Sequence, residues 1–203
     1  MIRHVFYINL NKRVDRKEHF LSEYAKSGLS PDILTRIDGH DLPNGHLGCS
    51  LSHIDALTMA LEKGSGWFCI FEDDFVFRRP ETFLTDVGCA LASIPNLDVL
   101  MLSQGCSQYS TFAACSDPRY KRILSTYSSS GYVVNSAYLP VLLANFREGA
   151  ALQKKDPKTK HHLDMYVKPL QSRDSWYGFQ RGLGHQIVGY SDTIHKMINP
   201  LLD

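Results

Sequence analysis

The sequence predicts an α/β fold in which a mixed, mostly parallel sheet carries helices on both faces. Short runs of β-branched and aromatic residues alternate with longer amphipathic segments over the first half of the chain. Polar residues follow several of these runs, as they do at the strand ends where open α/β sheets bind ligands. The chain of 203 residues is long enough to form one domain around its own core.

The first predicted strand, over 4–10, contains Asn9 near its end and leads into a basic segment. Arg13 and Arg16 lie in that segment, and a helix is predicted from Val14 to Lys26 because its apolar residues recur at helical spacing. A strand that opens onto a basic loop and a helix N-terminus suits anion binding, particularly phosphate. The alternative is a solvated amphipathic helix with no ligand.

A second helix is predicted to start at Gly48 and Ser50 and to end at Glu62, which places Ser52 and His53 in its first turn. In that position a hydroxyl and free backbone N–H groups would meet a ligand, although a satisfied, partly buried histidine is the simpler interpretation of His53. Further strands are predicted at 33–37, 67–71, 97–102 and 131–134, further helices at 80–93 and 137–146, and an exposed lysine-rich loop at 153–160.

Three consecutive acids, Glu72, Asp73 and Asp74, follow the apolar run that ends at Phe71. Adjacent carboxylates repel each other, and burying them is costly unless something neutralises them. A divalent cation held by oxygen ligands is the simplest neutraliser. Alternation along an extended chain predicts Glu72 and Asp74 on one side and Asp73 on the other. A solvated junction is the alternative, but the apolar segment 75–77 that follows favours burial.

Composition excludes some classes of function. The net charge of +1 gives no general attraction to nucleic acid or to an anionic membrane. No apolar run approaches the ~20 residues of a membrane span, and the first residues do not have signal-peptide architecture. Five cysteines without CxxC spacing favour reduced core thiols over disulfides or zinc. These observations predict a cytosolic protein.

Six separated blocks of residues form a pattern along the chain that can be compared with known families. They are Phe6–Leu10 with Arg13 and Arg16, Gly48-Cys49-Ser50-Leu51-Ser52-His53, Glu72-Asp73-Asp74, Ser130-Gly131-Tyr132-Val133-Val134, Asp164, and Gln186 with Ser191-Asp192. In this order and spacing the blocks resemble glycosyltransferase family 25, the group of lipopolysaccharide-biosynthesis and collagen galactosyl- and glucosyltransferases. The resemblance spans nearly the whole chain, and it is loosest in the fourth and fifth blocks.

The resemblance implies a GT-A-type nucleotide-binding domain over 1–203, with a nucleotide-sugar half (1–104) and an acceptor half (105–203). It also implies a UDP-hexose donor, Mn²⁺ or Mg²⁺ as the cofactor, and inversion at the anomeric carbon. The metal ligands would be Glu72, Asp74 and a late histidine, His185 or, as second choice, His195. The residues expected to bind the donor are Asn9, Arg13, Arg16, Ser52, His53, Asp73, Gly131 and Lys196.

Inversion needs a base that takes the proton of the acceptor hydroxyl. Asp164 is the predicted base because it is separate from the metal acids and follows an exposed loop; a helix N-cap or a surface acid is the alternative. Asp98, Asp174 and Asp192 are weaker candidates. The expected acceptor is a glycan, a glycolipid or hydroxylysine, and a glycolipid would be met at the inner membrane face.

Two other classes of function compete with this prediction. The first is a degenerate family member that binds carbohydrate or protein without catalysis. The second is a metal-dependent phosphohydrolase that uses the same acids, which would leave the block from Gly48 to His53 unexplained.

Overall fold

A central eight-stranded sheet lies between two layers of helices in the computed structural model, which describes residues 1–103, 110–156 and 161–199. The strands are β1 (Ile2–Asn9), β2 (Leu34–Asp38), β3 (Trp67–Glu72), β4 (Phe75–Phe77), β5 (Val99–Met101), β6 (Thr111–Ala114), β7 (Tyr120–Ser125), β8 (Gly131–Asn135), β9 (Trp176–Phe179), β10 (Gly184–Gln186), β11 (Gly189–Ser191) and β12 (Lys196–Ile198). The helices are α1 (Val14–Lys26), α2 (Gly45–Glu62), α3 (Phe83–Ser93), α4 (Leu139–Lys155), α5 (Leu163–Tyr166) and α6 (Lys168–Arg173).

The large sheet has the strand order β2-β1-β3-β8-β5-β9-β7-β6. Strand β1 pairs in parallel with β2 and β3, and β5 pairs in parallel with β9, whereas the other neighbours are antiparallel. Consequently only β7 and β8 of this sheet run against the common direction. Two small antiparallel pairs, β4 with β10 and β11 with β12, lie beside it. The predicted α/β class with a mixed sheet is confirmed.

The two faces of the sheet bury different helices. Successive strand residues point to opposite faces, so Phe6 and Ile70 join the core formed with α2 and α4. Val5 and Phe71, each one residue away, join the second core, which contains side chains of α1 and α3. This alternation determines which helix layer each side chain of β1 and β3 faces, up to the carboxyl ends of both strands.

Helix α1 begins and ends where the sequence predicts, but α2 begins three residues early. The side chain of Asn44 caps α2 by accepting a hydrogen bond from the Leu47 N–H at 3.2 Å. The prediction that Ser52 and His53 lie in the first turn is therefore wrong. Both residues lie inside the helix, where backbone N–H groups are bonded within the helix itself.

Helix α4 continues to Lys155, so the predicted loop is wrong at its first residues. Gln153 is buried and donates to Ser50 Oγ at 3.1 Å and to the His161 carbonyl at 2.8 Å. These two bonds satisfy the amide nitrogen. They hold the last turn of α4 against α2 and against the segment that precedes α5. The remainder of the predicted loop, 157–160, lies outside the described residues.

Four cysteines are described, and all four are free thiols, as predicted. Cys69 is buried in the sheet, but Cys89 is exposed, so the prediction of a core thiol is wrong there. Cys106 lies outside the described residues. In the three described ranges, no helix has both the length and the apolar character needed to cross a bilayer.

The β4–β10 pair is held by an aromatic cluster around Phe75, which is fully buried. The Phe75 ring lies 4.7 Å from that of Phe71 and 4.9 Å from that of Phe77, measured between centroids. Two glycines leave the space that this ring fills. A Cβ on Gly131 would come within 2.5 Å of the Phe75 ring, and a Cβ on Gly184 within 2.0 Å.

We expect Gly184→Ala to lower the free energy of unfolding by about 1–3 kcal/mol, because the added methyl overlaps a ring that its neighbours hold in place. Denaturant titration measures this change. Gly88→Ala is the matched control, since a Cβ there meets no described atom within 4 Å and alanine favours the helix. Equal stability of the Gly184→Ala variant and the wild type would contradict the packing argument.

Candidate functional site

A cleft of 410 Å³ lies at the carboxyl ends of β1, β2 and β3, which is where open α/β sheets bind ligands. Many of the predicted site residues line it: Arg13, Arg16, Ser52, His53, Glu72, Asp73, Asp74, Asp164 and His185. Asn9, Gly131 and Lys196 are not among the residues that form its walls. The structure therefore brings together side chains from both halves of the chain.

The three acids do not alternate as predicted. Strand β3 ends at Glu72, which follows Phe68 and Ile70 on the α2 face of the sheet. Asp73 and Asp74 form the turn into β4, and Arg16 of α1 contacts both, at 3.2 and 3.0 Å. The expectation that Glu72 and Asp74 share a side opposite Asp73 is wrong because the turn ends the extended geometry.

Asn9 is buried and fixes the orientation of Asp73. Its amide donates to Asp73 Oδ2 at 2.6 Å and to the Arg13 carbonyl at 3.0 Å. Its oxygen accepts from Arg36 Nε at 3.0 Å. Since both ends of the amide bind protein groups, Asn9 shapes the acidic turn from below the cleft.

Asp74 is buried and has two unlike oxygens. Oδ2 accepts from Arg16 and, at 3.3 Å, from Gln186 Nε2. Oδ1 has no hydrogen-bond partner among the described residues. Burial, followed by the nearby charge of Glu72, raises the pKa of Asp74 to about 7.

His185 supplies a second buried side-chain atom that has no hydrogen-bond partner in the described residues. Its Nδ1 is buried and, like Asp74 Oδ1, finds no partner in the described part of the chain. The pairing of β10 with β4 places His185 opposite Val76, two residues after Asp74, and both side chains line the cleft. A carboxylate oxygen and an imidazole nitrogen are ligand types that Mn²⁺ accepts, so the chemistry of these two unpartnered atoms suits a divalent cation.

The two arginines predicted to bind phosphate are held by acids. Arg13 pairs with Asp15 at 2.8 Å and with Asp192, and Arg16 pairs with Asp73 and Asp74. Arg16 also donates to the Tyr190 carbonyl at 2.6 Å. These contacts tie the β11–β12 hairpin to the first turn of α1 at the mouth of the cleft.

His53 and Ser52 make contacts within the protein. His53 is fully buried, with Nε2 3.2 Å from Glu72 Oε1 and Nδ1 3.1 Å from the Tyr132 hydroxyl. Ser52 Oγ accepts from the His40 N–H at 2.9 Å and donates to the Gly48 carbonyl at 2.8 Å. His53 thus orients Glu72, and Ser52 fixes the loop that follows β2.

Asp164 lies in the single turn of α5 and faces the cleft, where Ser129 Oγ donates to its Oδ1 at 2.7 Å. The alternative acids are placed differently. Asp98 accepts from the Ser175 N–H and Asp174 pairs with Arg173, and neither lines the cleft. Asp192 lines the cleft but is paired with Arg13.

Gly131, Lys196 and His195 lie away from the cleft walls. Gly131 is buried in β8, where the absence of a side chain admits the Phe75 ring. Lys196 and His195 are exposed in and beside β12. Lys196 and His195 are not brought to the acids, whereas Gly131 pairs with Phe71, the residue before Glu72.

Several cleft residues were missed as candidates. His46 and His162 stack at 4.5 Å between ring centroids beside Asp164, and no pattern in the sequence links the two segments. Cys49 lies within 4.8 Å of the ligand atoms of His53 and Glu72. Cys49 and His53 are four residues apart, a spacing that places them on one helix face and would have identified the pair.

Comparison with known families supports the resemblance described above. Residues 34–121 match the sequence model of glycosyltransferase family 25, described as LPS biosynthesis protein. The matched segment includes the block from Gly48 to His53 and the three acids. The predicted resemblance is confirmed over this segment.

A curated relative, a putative glycosyltransferase of Haemophilus influenzae, is 31% identical over 91 residues, which are 36% of this chain and 32% of the relative. The match thus spans about a third of that relative's length. Among solved structures, A197 from STIV superposes with a TM-score of 0.53 at 14% identity. The superposition covers 97% of this chain and 93% of the A197 chain. The apo form of the glycosyltransferase GlyE of Streptococcus pneumoniae TIGR4 superposes with a TM-score of 0.52 at 9% identity. The superposition covers 89% of this chain and 45% of the GlyE chain. The two superpositions confirm the predicted GT-A-type fold.

We expect Asp74→Asn to be more stable than the wild type at pH 8 in the absence of divalent cations, by on the order of 1 kcal/mol or more. The folded protein holds a proton on Asp74 that the unfolded chain loses near pH 4, so wild-type stability falls as the pH rises towards 7. Asparagine removes this dependence, and the two proteins should nearly converge at about pH 4, close to the pKa of Asp74 in the unfolded chain.

Chemical denaturation at both pH values, in the presence of a chelator, measures the difference. Asp117→Asn is the control because Asp117 lies outside the cleft and pairs with Arg119 at the surface. A wild type that is at least as stable as Asp74→Asn at pH 8 would refute the argument.

Proposed function

From the match of residues 34–121 to family 25, we propose that this chain is a metal-dependent inverting glycosyltransferase. It transfers a hexose, galactose or glucose, from a UDP-sugar to a glycan or glycolipid acceptor or to hydroxylysine. The observation that carries the proposal is the pair of buried ligand atoms, Asp74 Oδ1 and His185 Nδ1. Both lack partners in the described residues and both belong to cleft-lining side chains.

Asp74 and His185 would hold Mn²⁺ or Mg²⁺. Glu72 would join them only after a side-chain movement, because in the described residues the ligand atoms of these three residues do not all lie within 4.8 Å of one another. A cation bound by these residues supplies charge neutralisation for the diphosphate that leaves with the nucleotide. It also offsets the cost of ionising Asp74, whose pKa burial raises to about 7. Arg16 already offsets part of that cost through its contacts with Asp73 and Asp74.

The donor phosphates are proposed to lie beside Arg13 and Arg16. Both side chains line the cleft, and a guanidinium group is a planar donor that can bind a phosphate through two hydrogen bonds. Arg13 exchanges its contact with Asp192 for a phosphate oxygen in this arrangement, while Arg16 keeps its contacts with the acidic turn. Ser52, His53 and Asn9 act indirectly by holding the loop after β2, Glu72 and Asp73.

Asp164 is proposed as the base. The acceptor oxygen attacks the anomeric carbon, its proton passes to the Asp164 carboxylate, and the bond from that carbon to the diphosphate oxygen breaks, releasing UDP. The hydrogen bond from Ser129 holds the carboxylate in the cleft. Attack on the face opposite the leaving group accounts for inversion.

The acceptor assignment follows the family description, which names LPS biosynthesis and so favours a glycan or glycolipid over hydroxylysine. Residues 105–203 would contribute the acceptor side through Ser129, His162 and Asp164. An acceptor on a lipid carrier would be met at the inner membrane face through peripheral contact.

UDP with Mn²⁺ should raise the melting temperature of the wild type. At a ligand concentration 100 times Kd the gain is about 2.7 kcal/mol. That corresponds to roughly 5–10 °C for a chain of this size. Asp74→Ala should lose the Mn²⁺-dependent part of the shift, and Asp117→Ala should keep it.

The same thermal-shift screen includes GDP, CMP and their sugars, each with and without Mn²⁺. The UDP-sugar with the largest shift identifies the hexose. A flat response to every nucleotide from folded protein would contradict the proposal and favour a non-catalytic binding module. Release of inorganic phosphate from simple esters would instead favour a phosphohydrolase.

Asp164→Asn should lower kcat by about 10²- to 10⁴-fold, because the acceptor proton loses its base, while UDP binding stays unchanged. Product formation from the UDP-sugar identified above, measured with a glycan acceptor, tests this. Asp98→Asn is the control, since Asp98 lies outside the cleft walls. Retained turnover in Asp164→Asn would assign the base to another group.

A further inference from the structure

Three potential metal ligands of different chemistry converge at the floor of the cleft. Cys49 and His53 lie one turn apart on the same face of α2, and Glu72 faces them from the end of β3. Their ligand atoms, Sγ, Nε2 and a carboxylate oxygen, all lie within 4.8 Å of one another. In the described part of the chain, no other group of three or more such residues comes this close together.

We propose that Cys49, His53 and Glu72 form a binding site for a thiophilic divalent cation of the Zn²⁺ type. This site differs from the proposed Mn²⁺ site, because Cys49 and His53 belong to it while Asp74 and His185 do not. Thiolate and imidazole ligands select Zn²⁺ over Mn²⁺, which prefers carboxylates and water. All three residues line the cleft, which leaves a fourth position for water or a substrate oxygen.

The distances are close to those of a tetrahedral zinc site. With the usual zinc bond lengths, adjacent ligand atoms lie roughly 3.3–3.6 Å apart. Here His53 Nε2 lies 3.2 Å and Cys49 Sγ 3.9 Å from Glu72 Oε1. The third pair, Cys49 Sγ and His53 Nε2, lies within 4.8 Å. Side-chain shifts of no more than about 1 Å would therefore complete the geometry.

The surroundings of His53 fix its orientation as they would for a metal ligand. Its ring is fully buried, stacked on Tyr132 with 5.8 Å between centroids, and edge-on to Phe146. The Tyr132 hydroxyl lies 3.1 Å from Nδ1, the nitrogen remote from Glu72. A polar partner on Nδ1 keeps Nε2 directed towards the proposed metal position. Such partners are typical of histidine residues that bind metals.

Cation binding would also change the protonation of Cys49 and the role of Glu72. Cys49 binds as a thiolate, so its proton, now donated towards Glu72, is released to solvent when the cation enters. Glu72 is common to both sites, so a thiophilic cation held by Cys49 and His53 would draw this carboxylate from the Mn²⁺ set. We therefore expect Zn²⁺ to act against Mn²⁺-dependent nucleotide binding.

The experiment measures Zn²⁺ and Cd²⁺ binding to the full chain in the absence of nucleotide. Equilibrium dialysis gives stoichiometry and Kd, and ultraviolet absorption of the Cd²⁺ complex reports thiolate ligation directly. The test variant is Cys49→Ser, with Cys89→Ser as the matched control because Cys89 is an exposed free thiol away from the cleft walls. Tyr132→Phe removes only the hydroxyl beside His53, and Asp74→Asn tests independence from the proposed Mn²⁺ site.

One equivalent of Zn²⁺ and a thiolate–Cd²⁺ band are expected in the wild type, in Cys89→Ser and in Asp74→Asn. Cys49→Ser should lose the band, and Tyr132→Phe should bind Zn²⁺ about 10- to 100-fold more weakly. Retention of the band in Cys49→Ser, or loss of Zn²⁺ binding in Asp74→Asn with retention in Cys49→Ser, would overturn the assignment. Because no nucleotide is present, either result is independent of whether UDP binds.

Discussion

The structure depends on neutralising three neighbouring carboxylates at the end of its central strand. Asp73 and Asp74 are buried and Glu72 is partly buried, and burial of unpaired charge is among the costliest changes in folding. Each acid therefore has its own protein partner. Glu72 meets His53, Asp73 meets Asn9, and Arg16 bridges Asp73 and Asp74.

These partners come from parts of the chain that are far apart. Asn9 ends β1, Arg16 lies in α1, His53 lies in α2 and Gln186 lies in β10. Because each must reach the acidic turn, the turn fixes how both helix layers and the β4–β10 pair meet the sheet. One oxygen of Asp74 lacks a partner in the described residues although the other acidic groups have one, and His185, which lines the same cleft, carries a second such atom.

The sequence predicted features that depend on local pattern. The bounds of α1, the strand that leads to Glu72 and the burial of Asp73 and Asp74 could be inferred from periodicity and residue type. Features that depend on distant partners could not. The extension of α4 rests on the bonds of Gln153 to Ser50 and His161, and the placement of Asp74 rests on a turn that periodicity does not show. Likewise, charge pattern alone did not predict that Arg13 would pair with Asp192.

The packing of Phe75 has a consequence for how the sequence of this protein can change over time. One ring occupies the space that side chains at Gly131 and Gly184 would need, although these residues are far apart in the chain. A smaller residue at position 75 would free both glycines to vary, whereas either glycine alone is constrained while phenylalanine remains. We therefore expect the three positions to covary among homologues. Phenylalanine at position 75 should occur with glycine at both 131 and 184, and a smaller residue at 75 should occur with a larger residue than glycine at one or both of them.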